Sequence, residues 1–142
     1  MNAMEISRTG LDVEWRRLEV IAENIANAST TRTALGGPYR AMRLISGPRS
    51  DFARQLEGPA EARSLSGVAV YGLEPENAAP RRVHEPGHPH ADAEGYVTYP
   101  GFDHAAEMTL MVKTARVYEA NIVAMNTARQ MYMKAMELGR RS

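Results

Sequence analysis

Apolar residues recur at a three-four spacing over long stretches at both ends of this chain, which limits its termini to helix-on-helix packing. From Met108 the series runs Met108, Met111, Ala115, Tyr118, Ile122, Met125, then Tyr132 and Met136, broken only at Arg129. Toward the amino terminus Met4, Leu11, Leu18 and Ile25 fall seven apart, and Trp15, Ile21, Ala22 and Ala28 widen the stripe. Apolar positions averaging about 3.5 residues apart form one narrow seam, which must be buried against another helix. A chain that devotes both termini to such seams is built to associate.

The 142 residues suffice for about one compact domain. A helix from Met4 to Ala28 would be about 37 Å long, and one from His104 to Leu138 about 52 Å, at 1.5 Å per residue. A 100-residue globule has a radius of gyration near 13 Å, so such helices overhang it. The expected fold is α+β and elongated, with the terminal helices packed as an antiparallel, coiled-coil-like pair and a small β-rich insertion between them. This divides the chain into residues 1–33, 34–102 and 103–142.

Seventeen basic residues balance seventeen acidic ones. That balance supplies no basic stripe for nucleic acid and removes the net repulsion that keeps copies of a protein apart. No stretch approaches the roughly 18–20 apolar residues of a membrane span, so no membrane insertion is expected. No basic-then-apolar leader with a small-residue cleavage site opens the sequence. The chain is expected to be cytoplasmic or to leave by a route that needs no cleaved signal. With no cysteine, disulfides and thiolate sites are excluded.

Asn2 and Glu5 have the spacing of a capping box. Arg8 and Gly10 weaken the first turns, so the seam is expected to hold from Leu11, with Asp12, Glu14, Arg16, Arg17 and Glu19 outward. Short polar side chains from Asn27 to Thr33 compete for backbone hydrogen bonds and should end the helix, and Gly36-Gly37-Pro38 is a firm break. Tyr39 to Ser46 reads as a strand. Gly47 to Ser66 reads as a mobile loop anchored by Phe52 and Leu56. Gly67 to Leu73 and Gly95 to Tyr99 have strand character, and Arg81 to His84 can pair with one of them. Asp103 is placed to cap the last helix, with Glu107 in its first turn and Gly139 at its end.

His84-Glu85-Pro86-Gly87-His88 matches the letters of a zinc-peptidase motif. That motif needs a helix to bring its histidines one turn apart, and proline and glycine cost a helix about 3 and 1 kcal/mol. The segment therefore reads as a turn; a looser cluster of His84, His88, His90 and Asp92 is the remaining metal alternative. No nucleophile-base pair or glycine-rich phosphate loop stands out. No catalytic residue, cofactor or metal is assigned. Arg129 either snorkels its charge outward or sets helix register. Met108, Met111, Met125, Met131 and Met136 fill a core by default or adapt to non-identical partners.

Several segments together resemble one family. Ala22-Glu23-Asn24-Ile25-Ala26-Asn27-Ala28-Ser29-Thr30 is similar to the amino-terminal signature of flagellar rod, hook and hook-associated proteins. Thr30-Thr31-Arg32-Thr33 with Gly36-Gly37-Pro38-Tyr39-Arg40 resembles the continuation seen in the flagellar basal-body proximal rod protein C family. So do Pro86-Gly87-His88-Pro89 and Glu94-Gly95-Tyr96-Val97-Thr98-Tyr99-Pro100, and Tyr118-Glu119-Ala120-Asn121 in the last helix. Glu23, the Gly101-Phe102-Asp103-His104 run and Trp15 depart from the family pattern.

The resemblance implies a structural subunit of the bacterial flagellar rod, exported through a type III apparatus without cleavage. Its expected partners are other rod proteins, copies of itself, and ring or export-gate components of the basal body. Leu11, Leu18, Ala22, Ile25, Met108, Met111, Ala115, Tyr118, Ile122 and Met125 would bury the seams. Asn24, Asn27, Thr31, Arg32 and Tyr39 would hold the bend after the first helix. Passage through a narrow channel favours termini that are partly disordered in the isolated chain and gain order on assembly. Two other classes share part of this pattern: a heptad-paired adaptor, which would close as a dimer, and a metal-dependent hydrolase, which would bind stoichiometric zinc.

Overall fold

The computed structural model describes residues 3–49 and 66–141. Helix α1 spans Ala3–Ala26 and is followed by strands β1 (Met42–Pro48), β2 (Val68–Pro75), β3 (Arg81–His84) and β4 (Tyr96–Tyr99). The chain closes with helix α2, His104–Arg141. Both terminal helices and the short strands between them match the α+β expectation. Asn2, Phe52, Leu56 and most of the expected 47–66 loop lie outside the described residues.

The two helices run antiparallel. Gly10 lies against Asn121, the Trp15 and Tyr118 rings sit 6.0 Å apart, and Asn24 reaches Glu107. On this register Ala3 comes level with about Ala128, and the rest of α2 passes beyond the start of α1 by about 20 Å at 1.5 Å per residue. Gly10 was expected only to weaken the helix start. Instead it stands at a close approach, since a Cβ there would meet the Asn121 amide at 3.1 Å. Gly139 does not end α2: the helix continues to Arg141, and Gly139 keeps a negative φ without the left-handed turn of a glycine cap.

β1 and β2 form one antiparallel hairpin, with Met42 opposite Pro75 and Pro48 opposite Val68. A bulge between Ile45 and Ser46 leaves Tyr71 without an opposite residue, and its hydroxyl donates to the Pro48 carbonyl at 2.5 Å. β3 and β4 form a second, separate hairpin in which Arg81 faces Tyr99 and His84 faces Tyr96. The first strand begins later than expected, because Tyr39 hydrogen-bonds back to the helix end instead of entering a ladder. It also extends further, taking Gly47 and Pro48 out of the expected loop.

α1 uses a second face that the seam reading missed. Val13 and Val20 are buried against Leu44, with Met42 and Val68 packed beside them. Along the same face Thr9, Arg17 and Asn24 bond the hairpin itself. Thr9 Oγ1 accepts the Val68 N–H at 3.0 Å, and Arg17 donates to the Leu44 carbonyl at 3.2 Å and to Ser46 Oγ at 2.8 Å. Helix side chains thereby satisfy polar groups along one edge of β1, an edge that would otherwise invite another strand. Arg17 and Glu14, read as outward charges, form a 3.1 Å ion pair beside this contact.

Candidate functional site

The carboxyl end of α1 organises the junction between the helices and the β segments. Asn24 is fully buried, and both donor and both acceptor positions of its amide are engaged. Its Oδ1 accepts the Met42 N–H and the Tyr39 hydroxyl, each at 2.9 Å. Its Nδ2 donates to the Met42 carbonyl at 2.9 Å and to Glu107 Oε2 at 3.4 Å. By taking both backbone groups of Met42, the side chain occupies the place of a neighbouring strand.

Glu107, in the first turn of α2, is 2 % exposed. Its charge is met by Arg43, which also bonds Glu76 at 2.7 Å. A carboxylate this buried requires such a partner, since desolvation disfavours an isolated charge by several kcal/mol. Burial, then the negative charges of Glu23 and Glu107, push the Tyr39 phenol above its ordinary value. Tyr39 accordingly stays a neutral donor to Asn24. Asp103 caps α2 as expected, its Oδ1 accepting the Ala106 N–H at 3.0 Å.

Beyond Ala26 the backbone folds back on itself. Asn27 Nδ2 donates to the Glu23 carbonyl at 3.0 Å, and Asn27 Oδ1 accepts the Thr30 hydroxyl at 3.1 Å. The Tyr39 N–H bonds the Thr30 carbonyl, and the Thr33 N–H bonds the Gly37 carbonyl, closing the loop. Gly36 and Gly37 have φ of 81° and 75°, left-handed values that side-chain-bearing residues rarely adopt. Pro38 is partly buried; Arg32 is exposed at the loop surface.

The second hairpin meets this loop where Thr31 Oγ1 and His90 Nδ1 lie 2.8 Å apart. Glu85 to His88 closes a backbone turn, and His88 to Ala91 closes another. The zinc-motif letters thus sit on consecutive turns, with Gly87 and Pro89 at turn positions, and the two histidines are not one helical turn apart. His88 Nδ1 instead accepts the His90 N–H at 3.0 Å. Among the described residues no three metal-ligating side chains converge on a point. Gly95, at φ 80°, fits against Pro86 and His84, and Tyr96 packs edge-on to His84 at 5.0 Å.

Asp92 holds the turn before β4. Its Oδ1 accepts the N–H groups of Tyr96 at 2.8 Å and Glu94 at 3.0 Å, and Oδ2 pairs with Arg82 at 2.6 Å. The Tyr96 N–H, then Arg82 and the Glu94 N–H, hold its carboxyl below the ordinary value. A depressed folded-state value contributes stability above the unfolded value of 3.8, lost as pH falls through the folded one. We therefore expect the Tyr96 amide resonance to shift cooperatively below pH ~4, and Asp92→Asn to remove that acid transition. A pH-invariant Tyr96 amide in the parent chain would refute the turn's dependence on this carboxylate.

The seam residues do not all share one environment. Leu11, Leu18 and Ile25 on α1, and Met111, Ala115, Tyr118, Ile122 and Met125 on α2, are partly buried. Ala22 and Met108 are exposed. Glu119 is also exposed, paired with Arg116 at 2.9 Å, whereas Asn121 backs onto Gly10. The seam reading missed Glu107 and Thr114, both 2 % exposed, because polar residues at seam positions do not register in an apolar count.

Asn24 and Glu107, the two ends of this junction on the helices, fall in segments that match family models. Residues 4–32 match the family model described as flagella basal body rod protein. Residues 93–138 match that of the flagellar basal body rod FlgEFG protein C-terminal region. The chain is 34% identical to the flagellar basal-body rod protein FlgC of Salmonella typhimurium over 139 residues, covering 98% of this chain and 97% of the relative. FlgC of Bacillus subtilis is also 34% identical, over 148 residues, with 98% and 97% covered. FlgC of Borreliella burgdorferi is 34% identical over 146 residues, with 96% and 95% covered. No helix among the described residues is long and apolar enough to cross a membrane. A junction made of structural hydrogen bonds, on a chain similar to these relatives over almost its whole length, places it in the flagellar basal-body rod protein FlgC family, whose members are structural subunits of the basal body and not enzymes.

Proposed function

We propose that the chain polymerises through its terminal helices with copies of itself and other rod proteins, forming the shaft that transmits torque through the basal body. In this reading residues 1–33 and 103–142 make a coiled-coil-like inner unit, and residues 34–102 an outer one. The chain leaves the cytoplasm unfolded through a type III apparatus and meets ring or export-gate components at the rod base. Leu11, Leu18, Ile25, Met111, Ala115, Tyr118, Ile122 and Met125 serve the seam within the subunit, while Ala22 and Met108 face neighbours. Asn24, Asn27, Thr30, Thr31, Arg32, Gly36, Gly37, Pro38 and Tyr39 keep the bend rigid, so that force on the helices reaches the outer hairpins.

The observation that carries this reading is the overhang of α2. Past Ala128 the helix has Met131, Tyr132, Met133 and Met136 at 56–68 % exposure. A helical segment whose apolar side chains are mostly exposed is marginal by itself, because most helical stability comes from a packed face. We expect amides 129–141 to exchange with solvent rapidly in the dilute chain and about tenfold or more slowly once it is assembled with the other rod proteins. Equal exchange in both states would remove the overhang from assembly.

A further inference from the structure

We infer that His88 is a pH-sensitive latch: as a neutral imidazole it holds the tip of the second hairpin against the bend after α1, and as an imidazolium it lets that tip go. The hold is a relay of two hydrogen bonds. His88 Nδ1 accepts the His90 N–H at 3.0 Å, which fixes the backbone from which the His90 ring meets Thr31 Oγ1 at 2.8 Å. A ring nitrogen accepts only while it carries no proton, so the first bond requires a neutral His88 with its proton on Nε2. The second bond makes no such demand. A hydroxyl can donate to Nδ1 or accept from Nδ1–H, so Thr31 can meet either form of His90. The sensitivity rests with His88.

The surroundings do not reward a charge on this ring. It lies 5.3 Å from the His90 ring and 6.4 Å from that of Tyr99 on β4. The Glu85 carboxylate is engaged by the Tyr99 hydroxyl at 3.0 Å, and the Arg81 guanidinium of β3 stands 5.6 Å from the Tyr99 ring. In the bend Arg32 follows Thr31, while Asp92 and Glu94 pair with Arg82. Among the described residues no carboxylate pairs with the imidazole of His88 or His90. Protonation of His88 therefore turns a hydrogen bond into two opposed N–H groups and gains no anion in exchange. The base of the hairpin is held without histidine. Val97 is fully buried, Pro100 is buried, and Gly101 lies so close to Ala79 that a Cβ there would overlap its carbonyl. Release thus opens the contact between tip and bend and leaves the β3–β4 ladder paired.

An NMR titration of the full-length chain from about pH 8 to about pH 5 tests the latch, because imidazoles change charge across that range. As pH falls, the His90 amide resonance should move and the nuclear Overhauser contact between the Thr31 methyl and the His90 ring should weaken, both with the midpoint of the His88 ring. The ratio of closed to open tip should fall by about fivefold, the factor that one hydrogen bond of about 1 kcal/mol commands. His88→Asn replaces Nδ1 by an amide oxygen that can accept the N–H two residues on without titrating, as asparagine does in Asx turns. This variant should keep the Thr31–His90 contact at both ends of the range, and His88→Ala should weaken it at both. An undiminished contact in the parent chain at the acid end would overturn the latch. So would a contact that fades equally in His88→Asn, which would assign the titration to His90 itself, or a contact missing at the alkaline end.

Discussion

Asn24→Ala is expected to lower the stability of the chain by about 3 kcal/mol, lowering the thermal midpoint by roughly 10 °C. Truncation leaves the Met42 N–H, the Tyr39 hydroxyl and one Glu107 oxygen without their Asn24 partner in a site closed to water, and leaves the Met42 carbonyl only its bond from Arg43. Each buried polar group left unsatisfied costs about 1–3 kcal/mol, and some relaxation or water entry offsets the sum. The hydrophobic core is too small to absorb this. Val13, Val20, Ile21, Ala41, Leu44 and Val97 are the buried apolar residues among those described. Asn24→Asp keeps the shape but replaces the donor with a second carboxylate facing Glu107, and should be at least as damaging. A thermal melt of Asn24→Ala within a degree or two of the parent would show that the junction does not hold the fold.

The second large effect belongs to Arg43 and Glu107. Arg43→Met is expected to cost about 3 kcal/mol, because it leaves a carboxylate buried without its cation. The sequence alone gives no warning that Glu107 is this costly: an acid in the first helical turn is ordinarily explained by the helix dipole, worth at most about 1 kcal/mol at a surface. Its burial decides between those accounts. Adding Glu107→Gln to Arg43→Met removes the uncompensated charge and should recover a substantial part of the loss. The denaturation midpoints of the two single variants and the double variant form a cycle whose coupling energy should exceed about 1 kcal/mol. Additive losses would mean that Arg43 acts through Glu76 and the hairpin instead.

Much of this architecture was legible in the residues. Both helices follow from the spacing of their apolar positions, and the strands from short β-branched and aromatic runs bounded by glycine and proline. The rejection of a zinc helix at His84–His88 needed only Pro86 and Gly87. What stayed hidden was the second face of α1. Thr9, Arg17 and Asn24 lie at helical spacing with Val13 and Val20 between them, but polar side chains at such positions ordinarily mean a solvated surface. Here they bond strand backbone, and only the location of the hairpin discloses it. Gly10 was misread for a related reason. Its helix propensity argues against its place in α1, whereas its lack of a side chain is what lets Asn121 approach. The separation of four strands into two hairpins also escaped the sequence, because pairing depends on where the helices leave room.

On the proposed reading, α2 is longer than α1 because its end belongs to a neighbour in the rod. Electron microscopy of basal bodies from a bacterium whose only copy of this chain stops after Ala128 tests it most directly. The account predicts rings without a completed rod, and cells that do not swim, although the shortened chain still folds. Basal bodies with full-length rods would contradict it.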